Sequence, residues 1–584
     1  MRRVSLLILE VSLLSQLIPG LAFPVIHQGT LSVPANANGK RGAVASESSI
    51  CSQIGADIIR IGGTAADSMV ATTLCVGTVS MYHSGIGGGG FMLVRDKNSR
   101  YETIDYRETA PAASSRDMYD NDYRASVIGG LAVGVPGELK GLDYLHRKYG
   151  ALPWKTLVMP SVRLAREGFK VNKDLVRYME LASVNDTFLV DNPIWAEDFA
   201  PNGVLVQLGE TITRKRYADT LEKIANQGAD VFYEGELAKS MIDFIQQMNG
   251  IMTLDDLKNY AVKVKPPLSI TVRDYRLFTT EAPSSGAVML SILKTMEQYS
   301  LEDLNDANLT THRFVEAMKF AYGARQELGD PDFIKQMGSY QKEMLSDEKA
   351  RQIRNRILDN QTQPVEAYNP ASVYTTDSEG TSHIVTTDSS GMTVTSITTV
   401  NLFFGAKIMT PDTGIILNNE MNDFSLPNQN NSFGFPPSPA NFISPRKRPL
   451  SSCTPLIAEH LSNSTLYFAT GAAGGSRIIS ATTQVAFHLL FNSSSWRMSS
   501  SDWDMSMLHN AIAALRLHHQ LMPDVLHVEE GLDERLVASL EEKGHNVNWM
   551  APGASAVHGV MRFGDGRFDA VGETRQVNSG GVTV

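Results

Sequence analysis

The stretch EGTSHIVTTDSSGMTVTSITTV, residues 379–400, has the pattern of a β-hairpin. Residues 382–388 and 392–400 are rich in valine, isoleucine and threonine, and the serine-serine-glycine loop between them can turn the chain back. Pairing the two runs about the middle of this loop sets Thr399 opposite Thr381. The segment therefore predicts two hydroxyl groups side by side on one face of a sheet, although Thr399 is explained equally well as a good strand residue.

Thr381 would become a strong nucleophile if the chain were cut just before it. A threonine hydroxyl alone is a poor nucleophile, but the α-amine freed by cleavage between Gly380 and Thr381 can act as its base. Such an amine has a pKa of about 8, so it can take up and return a proton near neutral pH. Thr381 is thus a candidate latent nucleophile, and Thr399 would orient its hydroxyl by hydrogen bonding.

Five short motifs occur in one order along the chain: DYRETAP (105–111), GTSH (380–383), NNEMNDFS (418–425), RPLSS (448–452) and GAAGG (471–475). A sequence with these motifs resembles the γ-glutamyltransferases, which are members of the N-terminal-nucleophile hydrolase superfamily. The resemblance runs from about Gly39 to the C-terminus. The run FPPSPANF (435–442) is similar to the eukaryotic members.

The resemblance implies an α+β fold of four layers, α-β-β-α, with two antiparallel sheets packed face to face. It also implies that the Thr381 hydroxyl attacks the Gly380 carbonyl to form an ester, which water hydrolyses. Glycine suits this position because it tolerates a strained backbone. The products would be a large subunit, residues 23–380, and a small catalytic subunit, residues 381–584, intertwined as a heterodimer. Sequence patterns predict helices from about 142 to 356 and strands mainly after Thr381.

The resemblance further implies transfer of the γ-glutamyl group of glutathione or its conjugates, through a threonine ester, to water or to amino acid and dipeptide acceptors. This group carries an α-carboxylate and an α-ammonium, and each needs a partner once it is buried. Arg107 can hold the carboxylate with a fork of N–H donors. Hydroxyl, amide and acidic groups complete the expected substrate site: Ser451, Ser452, Asn401, Glu420 and Asp423.

Some of these charged residues also have simpler explanations when each is taken alone. Arg107 could form a surface ion pair with Asp105 or Glu108. Glu420 and Asp423 could be solvated acids of a loop. The motif matches favour the substrate site over these explanations.

Two glycine runs have different interpretations. Gly474 and Gly475 can present successive backbone N–H groups to the oxyanion of a tetrahedral intermediate, although paired glycines also occur in simple turns. Residues 87–90 are all glycine, but Phe91 and Met92 follow them in place of the Lys-Ser/Thr of a phosphate-binding loop. We therefore expect close chain packing there and no nucleotide.

Charge and histidine spacing argue against several classes of function. The net charge is −11 and no basic run is longer than the three residues 446–448, which argues against nucleic-acid binding. His83 and the adjacent pair His518-His519, which falls on a predicted helix, lack metal-type spacing. We expect no metal and no cofactor.

The N-terminus has the features of a secretion signal. Arg2 and Arg3 precede an apolar stretch, residues 4–18, and small residues suggest cleavage after Ala22, so that residues 1–22 form a signal peptide. A retained signal-anchor is the alternative, and the expected location is extracellular or at the cell surface, with the vacuole also open. Six sequons support passage through a glycosylating compartment: Asn185, Asn308, Asn360, Asn430, Asn463 and Asn492.

Three cysteines leave one unpaired. Residues 50–61 and 65–80 read as two helices, and folding them about the glycines between them places Cys51 beside Cys75. The family resemblance implies the same pair. Cys453 is then a buried packing thiol.

A long loop and two alternative functions complete the predictions. Residues 426–449 are rich in proline and asparagine, and the resemblance makes them an active-site lid, with Phe433 or Phe435 as its aromatic gate. One alternative function is that of a related acylase or amidase, which would not need groups for a zwitterion. The other is an inactive surface homologue.

Overall fold

The structure, a computed structural model, describes residues 39–120, 122–184, 186–368, 380–427, 437–491 and 506–584. Its strands are β1 (Gly42–Ser46), β2 (Gly89–Arg95), β3 (Tyr101–Asp105), β4 (Phe169–Lys170), β5 (Thr211–Ile212), β6 (Lys263–Lys265), β7 (Leu268–Val272), β8 (Tyr275–Thr279), β9 (Gly380–Asp388), β10 (Thr393–Asn401), β11 (Leu456–His460), β12 (Leu466–Ala473), β13 (Leu517–His518), β14 (Leu526–Glu529), β15 (Val547–Met550), β16 (Ala556–Arg562), β17 (Phe568–Val571) and β18 (Gly580–Thr583).

The helices lie mostly before residue 360. They are α1 (Ser49–Arg60), α2 (Ala65–Val79), α3 (Glu138–Tyr149), α4 (Trp154–Glu167), α5 (Lys173–Ser183), α6 (Phe188–Asp191), α7 (Pro193–Phe199), α8 (Lys215–Gln227), α9 (Glu236–Gln247), α10 (Leu254–Lys258), α11 (Gly286–Met296), α12 (Ala307–Arg325), α13 (Met337–Met344), α14 (Asp347–Arg356), α15 (Arg477–Phe491), α16 (Met507–Ala513) and α17 (Glu534–Glu542).

Two antiparallel sheets pack face to face and form the centre of the fold. The first has the order β18-β1-β9-β10-β2-β3-β6, and the second has the order β17-β16-β12-β11-β8-β7. Strands β9 and β10 contact β12 of the second sheet. Helices α1 and α2 contact the outer face of the first sheet, and α11 and α15 contact the second. The predicted four-layer α-β-β-α architecture is confirmed.

The predicted hairpin is confirmed with its register. β9 and β10 pair antiparallel, and Thr399 lies opposite Thr381. Gly391 in the connecting loop has φ +83°, the left-handed conformation that the loop requires. Every residue of both strands is buried, because one face meets α2 and the other meets the second sheet. Burial on both faces explains why the runs are rich in β-branched residues throughout instead of alternating with polar ones.

The helical hairpin before the glycine-rich run is also as predicted. Helices α1 and α2 lie side by side, and a disulfide joins Cys51 to Cys75. Thr64 caps α2: its side chain accepts from the backbone N–H of Asp67, whose carboxylate accepts from the backbone N–H of Thr64. Cys453 is buried with a free thiol.

Helices dominate from 142 to 356 as predicted, but strands β4 and β5 and strands β6, β7 and β8 interrupt them. The helix predicted at His518 is wrong. β8 pairs with β11 of the second sheet. β7 lies at the edge of the second sheet and buries only alternate residues, so its hydrophobic signal in the sequence is weak. His518 lies in β13, which pairs with β14.

Strands from before and after residue 380 are interleaved in the first sheet. β1 lies between β18 and β9, and β10 lies between β9 and β2. In the second sheet β11 pairs with β8. Each sheet is therefore built from both parts of the chain. Among the described residues, no helix has the length and apolar character that crossing a bilayer would require.

Candidate active site

Thr381 and Thr399 lie at the open end of the β9–β10 hairpin. The Thr399 hydroxyl donates to the carbonyl of Gly380, and the backbone N–H of Asn401 donates to the Thr399 hydroxyl at 2.7 Å. A register shift between Thr399 and Asn401 makes this second contact possible, and Asn401 takes φ +75°, which asparagine tolerates. Thr399 thus contacts the carbonyl of Gly380, where cleavage is predicted, whereas sequence reasoning paired it with the Thr381 hydroxyl.

Gly380 is required for space. A Cβ at this position would lie 2.6 Å from the carbonyl oxygen of Asn401, closer than real Cβ atoms come to a neighbour. Gly380 is not among the described glycines with positive φ, so the feature that requires glycine in this structure is close approach, and its tolerance of strain during cleavage stays a prediction. Any other residue would push the Gly380–Thr381 bond away from β10.

Asn401 connects the hairpin to the acidic loop. Its Nδ2 donates to the backbone carbonyl of Asn419 at 3.0 Å, and Asn419 Oδ1 accepts from the N–H of Leu402 at 3.0 Å. The short 3-10 helix Glu420–Asp423 begins immediately after Asn419. The end of the β9–β10 hairpin and the two acids, Glu420 and Asp423, are therefore held together by side-chain amides.

Arg107 lies immediately after β3, buried among acids. Its guanidinium forms ion pairs with Glu420 and Asp423, and its Nη1 is 3.9 Å from Glu108 Oε2. The side chain is 1% exposed, which rules out a surface ion pair. Asp105, the other partner considered for a surface pair, instead contacts Arg448 at 3.1 Å. The residues expected to hold the carboxylate and the ammonium of a zwitterion therefore pair with one another in this structure.

Burial perturbs the ionisation of this cluster. Burial lowers the pKa of Arg107, but the carboxylates of Glu420 and Asp423 outweigh that effect and raise it overall. Burial raises the pKa of Glu108 to about 8 and raises the pKa of Glu420 well above its ordinary value. The cause is the cost of ionising buried carboxyl groups, and the neighbouring acids that share one guanidinium add to it. Burial thus favours the protonated forms of Glu108 and Glu420 in this cluster.

Asn441 joins the acidic loop to the segment with the paired serines. Its Nδ2 donates to the carbonyl of Asp423 at 2.7 Å, and its Oδ1 accepts from the N–H of Leu450 at 2.9 Å. Ser451 is buried and Ser452 is half-buried next to this contact. The structure thus brings Ser451 and Ser452 to the same site as Arg107.

Arg325 and Ser285 brace the paired serines, and sequence reasoning missed both. Arg325 Nη2 donates to Ser452 Oγ at 3.1 Å, and its Nε donates to Ser285 Oγ at 3.0 Å. Ser285 Oγ donates to the carbonyl of Ser451 at 2.6 Å. Neither residue belongs to a local motif, so no sequence signal marks them.

Gly474 and Gly475 directly follow β12, on the side of the sheet pair where Thr381 lies. A Cβ at Gly471 would lie 2.6 Å from the His383 ring, and Val385 packs in one cluster with Ala469. A step along β12 from Ala469 to Gly471 therefore corresponds to a step back along β9 from Val385 to His383. Continuing by two residues brings the end of β12 next to Thr381. Gly474 and Gly475 have φ +121° and +59°, and within the described ranges neither backbone N–H has an acceptor. Two unused donors at this place suit an oxyanion.

The run of glycines at 87–90 packs against the chain, as predicted. A Cβ at Gly88 would lie 2.0 Å from the carbonyl oxygen of Thr399, and one at Gly87 would lie 2.1 Å from that of Ile416. The run lets β10 approach closely at the site and leaves no room for a phosphate.

One buried group in the described part of the chain has donors that could hold a metal ion: His312, Glu316 and His545. His312 Nδ1 and His545 Nε2 lie 2.8 Å apart, a hydrogen-bond distance. Glu316 accepts from the hydroxyls of Thr362 and Tyr368, each at 2.7 Å. These contacts use both carboxylate oxygens of Glu316 and one ring nitrogen of each histidine, and the group takes no part in the site around Thr381.

Several predicted features lie outside the described residues: the signal peptide (1–22), the sequons Asn185, Asn430 and Asn492, and the gate candidates Phe433 and Phe435. Of the remaining sequons, Asn360 and Asn463 are exposed, whereas Asn308 is half-buried in α12. Asn463 Oδ1 accepts from the N–H of Thr465 at 3.0 Å in a surface turn.

Comparison with known proteins gives consistent matches. A family model described as gamma-glutamyltranspeptidase matches residues 51–583. A glutathione hydrolase proenzyme from Arthroderma benhamiae is 48% identical over 566 residues, which cover 95% of this chain and 94% of that protein. A glutathione hydrolase proenzyme from Escherichia coli is 32% identical over 548 residues, which cover 92% of this chain and 91% of that protein.

Solved structures share the fold. A cephalosporin acylase from Bacillus halodurans superimposes with a TM-score of 0.78 at 24% identity, covering 96% of this chain and 99% of that chain. This likeness shows the fold alone. A gamma-glutamyltranspeptidase chain from Helicobacter pylori gives a TM-score of 0.52 at 28% identity, covering 55% of this chain and 92% of that chain.

Proposed function

This chain belongs to the γ-glutamyltranspeptidase family, and from that membership we propose that it is an autocatalytically processed glutathione hydrolase and γ-glutamyltransferase. The observation that carries the proposal is the continuous link from the Thr381–Thr399 pair, through Asn401 and Asn419, to the acids around Arg107. This link supports a latent nucleophile at Thr381 with groups for a zwitterion close to it.

Maturation would begin at the Gly380 carbonyl. The Thr381 hydroxyl attacks its carbon, the C–N bond breaks, and the chain is joined through an ester with a free α-amine on Thr381. Thr399 donates to the carbonyl oxygen and so stabilises the charge that develops there. Water then hydrolyses the ester, which leaves a carboxylate on Gly380 and both the amine and the hydroxyl on Thr381. The pieces would be residues 23–380 and 381–584.

Binding of the γ-glutamyl donor would replace the ion pairs within the buried cluster by ion pairs with the donor. Its α-carboxylate takes the Arg107 guanidinium, supported by the hydroxyls of Ser451 and Ser452. Its α-ammonium takes the place of that guanidinium beside Glu420 and Asp423, with Asn401 close by. Every buried charge stays paired before and after binding, which avoids the cost of an isolated ion. A donor lacking either charge would leave one partner unpaired.

Transfer would proceed in two steps. The Thr381 hydroxyl attacks the γ-carbonyl carbon and passes its proton to the α-amine, which returns it to the leaving amine. The N–H groups of Gly474 and Gly475 stabilise the oxyanion. Water, or the amine of an amino acid or dipeptide, then attacks the γ-glutamyl ester and regenerates the hydroxyl. Glutathione would give cysteinylglycine in the first step and glutamate on hydrolysis.

Release of a chromogenic amine from a γ-glutamyl anilide tests the proposal. The wild type is expected to be cut before Thr381 and active, and Thr381→Ala to remain uncut and inactive. A Thr381→Ala protein that is still cut at this bond would refute the maturation step. A cut wild type that hydrolyses acyl amides without an α-amino group equally well would favour the acylase alternative.

The remaining expectations stay proposals. The exposed sequons and the proposed signal peptide support a secreted or cell-surface enzyme, with a retained anchor or the vacuole as alternatives. Phe433 and Phe435 are proposed as gate residues of the lid at 426–449. Replacing both with alanine should change the ratio of hydrolysis to transfer, because a lid controls the access of water.

A further inference from the structure

Cutting the chain before Thr381 creates a terminus at the start of a strand. In the uncut chain β9 runs through Gly380, whose neighbour Asn401 lies across the ladder. After the cut, Thr381 is the first residue of the strand, and chain ends lose order unless they are tied down. The reaction nevertheless needs the amine and hydroxyl of Thr381 at fixed positions. Some contact must therefore hold the new terminus.

Ser382 is held from the rear face of the sheet. Side chains alternate along a strand, so Ser382 points away from the face of Thr381. Its hydroxyl donates to Glu47 Oε1 and accepts from Ser84 Oγ at 3.1 Å. Glu47 Oε2 lies 2.8 Å from His83 Nδ1. All four residues are buried, and both oxygens of the Glu47 carboxylate are occupied.

The same rear segment also holds the partner strand. The backbone carbonyl of His83 accepts from the N–H of Val400 at 2.9 Å, directly after Thr399. The carbonyl of Tyr82 accepts from the N–H of Phe404 at 3.0 Å. One short segment behind the sheet, residues 82–84, thus forms hydrogen bonds to the ends of β9 and β10, where Thr381 and Thr399 face each other.

Packing keeps this group in place. The His83 ring lies against Tyr178 and Phe403, with ring centroids 4.4 and 5.8 Å away. A buried carboxylate is costly unless its partners are well placed, so Glu47 stabilises only the arrangement in which Ser382 and His83 both face it. Because this geometry is required, the contact with Glu47 fixes the orientation of Ser382.

We propose that Glu47, His83 and Ser84 act as a rear clamp, whose three members are positioning residues that hold Ser382 and thereby Thr381 after the cut. The inference rests on the proposed function. The clamp residues precede the cut and Ser382 follows it, so one piece would hold the terminus of the other. The clamp matters most in the cut enzyme, because in the precursor the strand continues through Gly380.

Ser382→Ala tests the clamp against a matched control. Thr386→Ala removes another buried hydroxyl from the same face of β9, one that donates to the carbonyl of Ala65 at 2.8 Å. In the cut protein, Ser382→Ala should lower kcat by about 10-fold or more, with the donor KM within about 2-fold, because small misplacements of a nucleophile are expensive. Thr386→Ala should keep the wild-type kcat.

Glu47 provides a graded test. Glu47→Gln keeps an acceptor for Ser382 and should retain more of the kcat than Glu47→Ala. If Ser382→Ala and Glu47→Ala both keep the wild-type kcat, or if Thr386→Ala loses as much, the clamp is refuted. Folded variants that fail to cut at all would also refute it, because the inferred role follows the cut.

Hydrogen–deuterium exchange separates the clamp from the proposed function. In the cut protein, the peptide that starts at Thr381 should exchange faster in Ser382→Ala than in Thr386→Ala. This readout needs no substrate, so an inactive wild type would refute the γ-glutamyl reaction while the clamp is still tested. Equal exchange in the two variants would overturn the clamp even in an active enzyme.

Discussion

Ser285 offers a test of how the paired serines are held. It donates to the carbonyl of Ser451 and accepts from Arg325, which also donates to Ser452. Ser285→Ala should raise the KM for a γ-glutamyl donor by about 10-fold, a cost of about 1.4 kcal/mol, with a smaller change in kcat.

Ser284→Ala is the matched control for this test. Ser284 is equally buried, but its hydroxyl bonds to Thr280 at 2.7 Å and to the carbonyl of Glu281 at 2.8 Å. Its donor KM should match that of the wild type. An unchanged KM in Ser285→Ala, or an equal rise in both variants, would contradict the bracing role.

The burial of Glu108 predicts that the free energy of unfolding depends on pH. Burial raises the pKa of Glu108 to about 8, compared with about 4.3 in an unfolded chain. The folded state favours the protonated form, so the stability from this group is present below about pH 4.3 and is lost as the pH rises towards 8. Glu108→Gln removes the ionisation, and its thermal midpoint should therefore rise relative to that of the wild type as pH increases.

The comparison across pH isolates the ionisation of Glu108. Any effect of the amide on the thermal midpoint that does not depend on pH is the same at every pH. It cancels when the difference between the two proteins at one pH is subtracted from their difference at the other. Thermal midpoints of both proteins at pH 5 and pH 8.5 give the required numbers. A difference that stays constant, or that changes in the opposite direction, would show that Glu108 does not titrate as its burial implies.

Individual site residues were predictable where a motif marks them. Thr381, Thr399 and Arg107 were singled out from the sequence, and their roles stay predictions, while the structure brings them to one site. The pairing of Arg107 with Glu420 and Asp423 was not predicted, because reasoning from a bound substrate assigns these charges to the substrate and overlooks that buried charges also pair with one another. Ser285 lies far along the chain from Ser451, and a single serine gives no signal of such a contact.

At the scale of elements, the glycine run before β2 tests close packing. Gly88→Ala would place a Cβ 2.0 Å from the carbonyl of Thr399 and push β10 at the residue that contacts Gly380. We expect cleavage before Thr381 to be slowed at least 10-fold, which the fraction of cut chain on a denaturing gel would report over time.

Gly338→Ala is the control for the glycine run. Gly338 lies in α13, and a Cβ there would have no neighbour within 4 Å. The variant should be cut at the wild-type rate and be slightly more stable, because alanine favours helices over glycine by about 1 kcal/mol. Normal cleavage in Gly88→Ala would mean that the chain relaxes around the added methyl.

Elements were predictable in proportion to the strength of their local signals. The β9–β10 hairpin has two buried strands and a defined loop, so its register was found. Strands β6, β7 and β8 were missed because they are short and β7 buries only alternate residues. The His518 strand holds two residues, and its pairing with β14 is invisible in the local sequence.

At the scale of the molecule, the Cys51–Cys75 disulfide should affect stability without affecting the reaction. It joins α1 to α2 on the outer side of the first sheet and closes a loop with a sequence separation of 24. Replacing both cysteines with alanine should lower the free energy of unfolding by about 3 kcal/mol. Faster thermal inactivation with an unchanged donor KM would support this, and an altered KM would contradict it.

The four-layer architecture followed from the family resemblance, but the strand order did not. Periodicity identifies strands and says nothing about which strand lies beside which. The position of β1 between β18 and β9 depends on contacts between residues near opposite ends of the chain, such as Val44 with Val582. Such pairings are settled by packing of the whole molecule.

The interleaving of strands from before and after residue 380 has a genetic consequence if the chain is cut as proposed. Because β1 is hydrogen-bonded on both sides to strands of the other piece, the pieces cannot part without opening the first sheet. The two halves of each enzyme therefore stem from one translation event and are not reshuffled among molecules. In a cell with two alleles, one defective in each half, we expect no intragenic complementation, and mass spectrometry of isotopically mixed populations should find no hybrids.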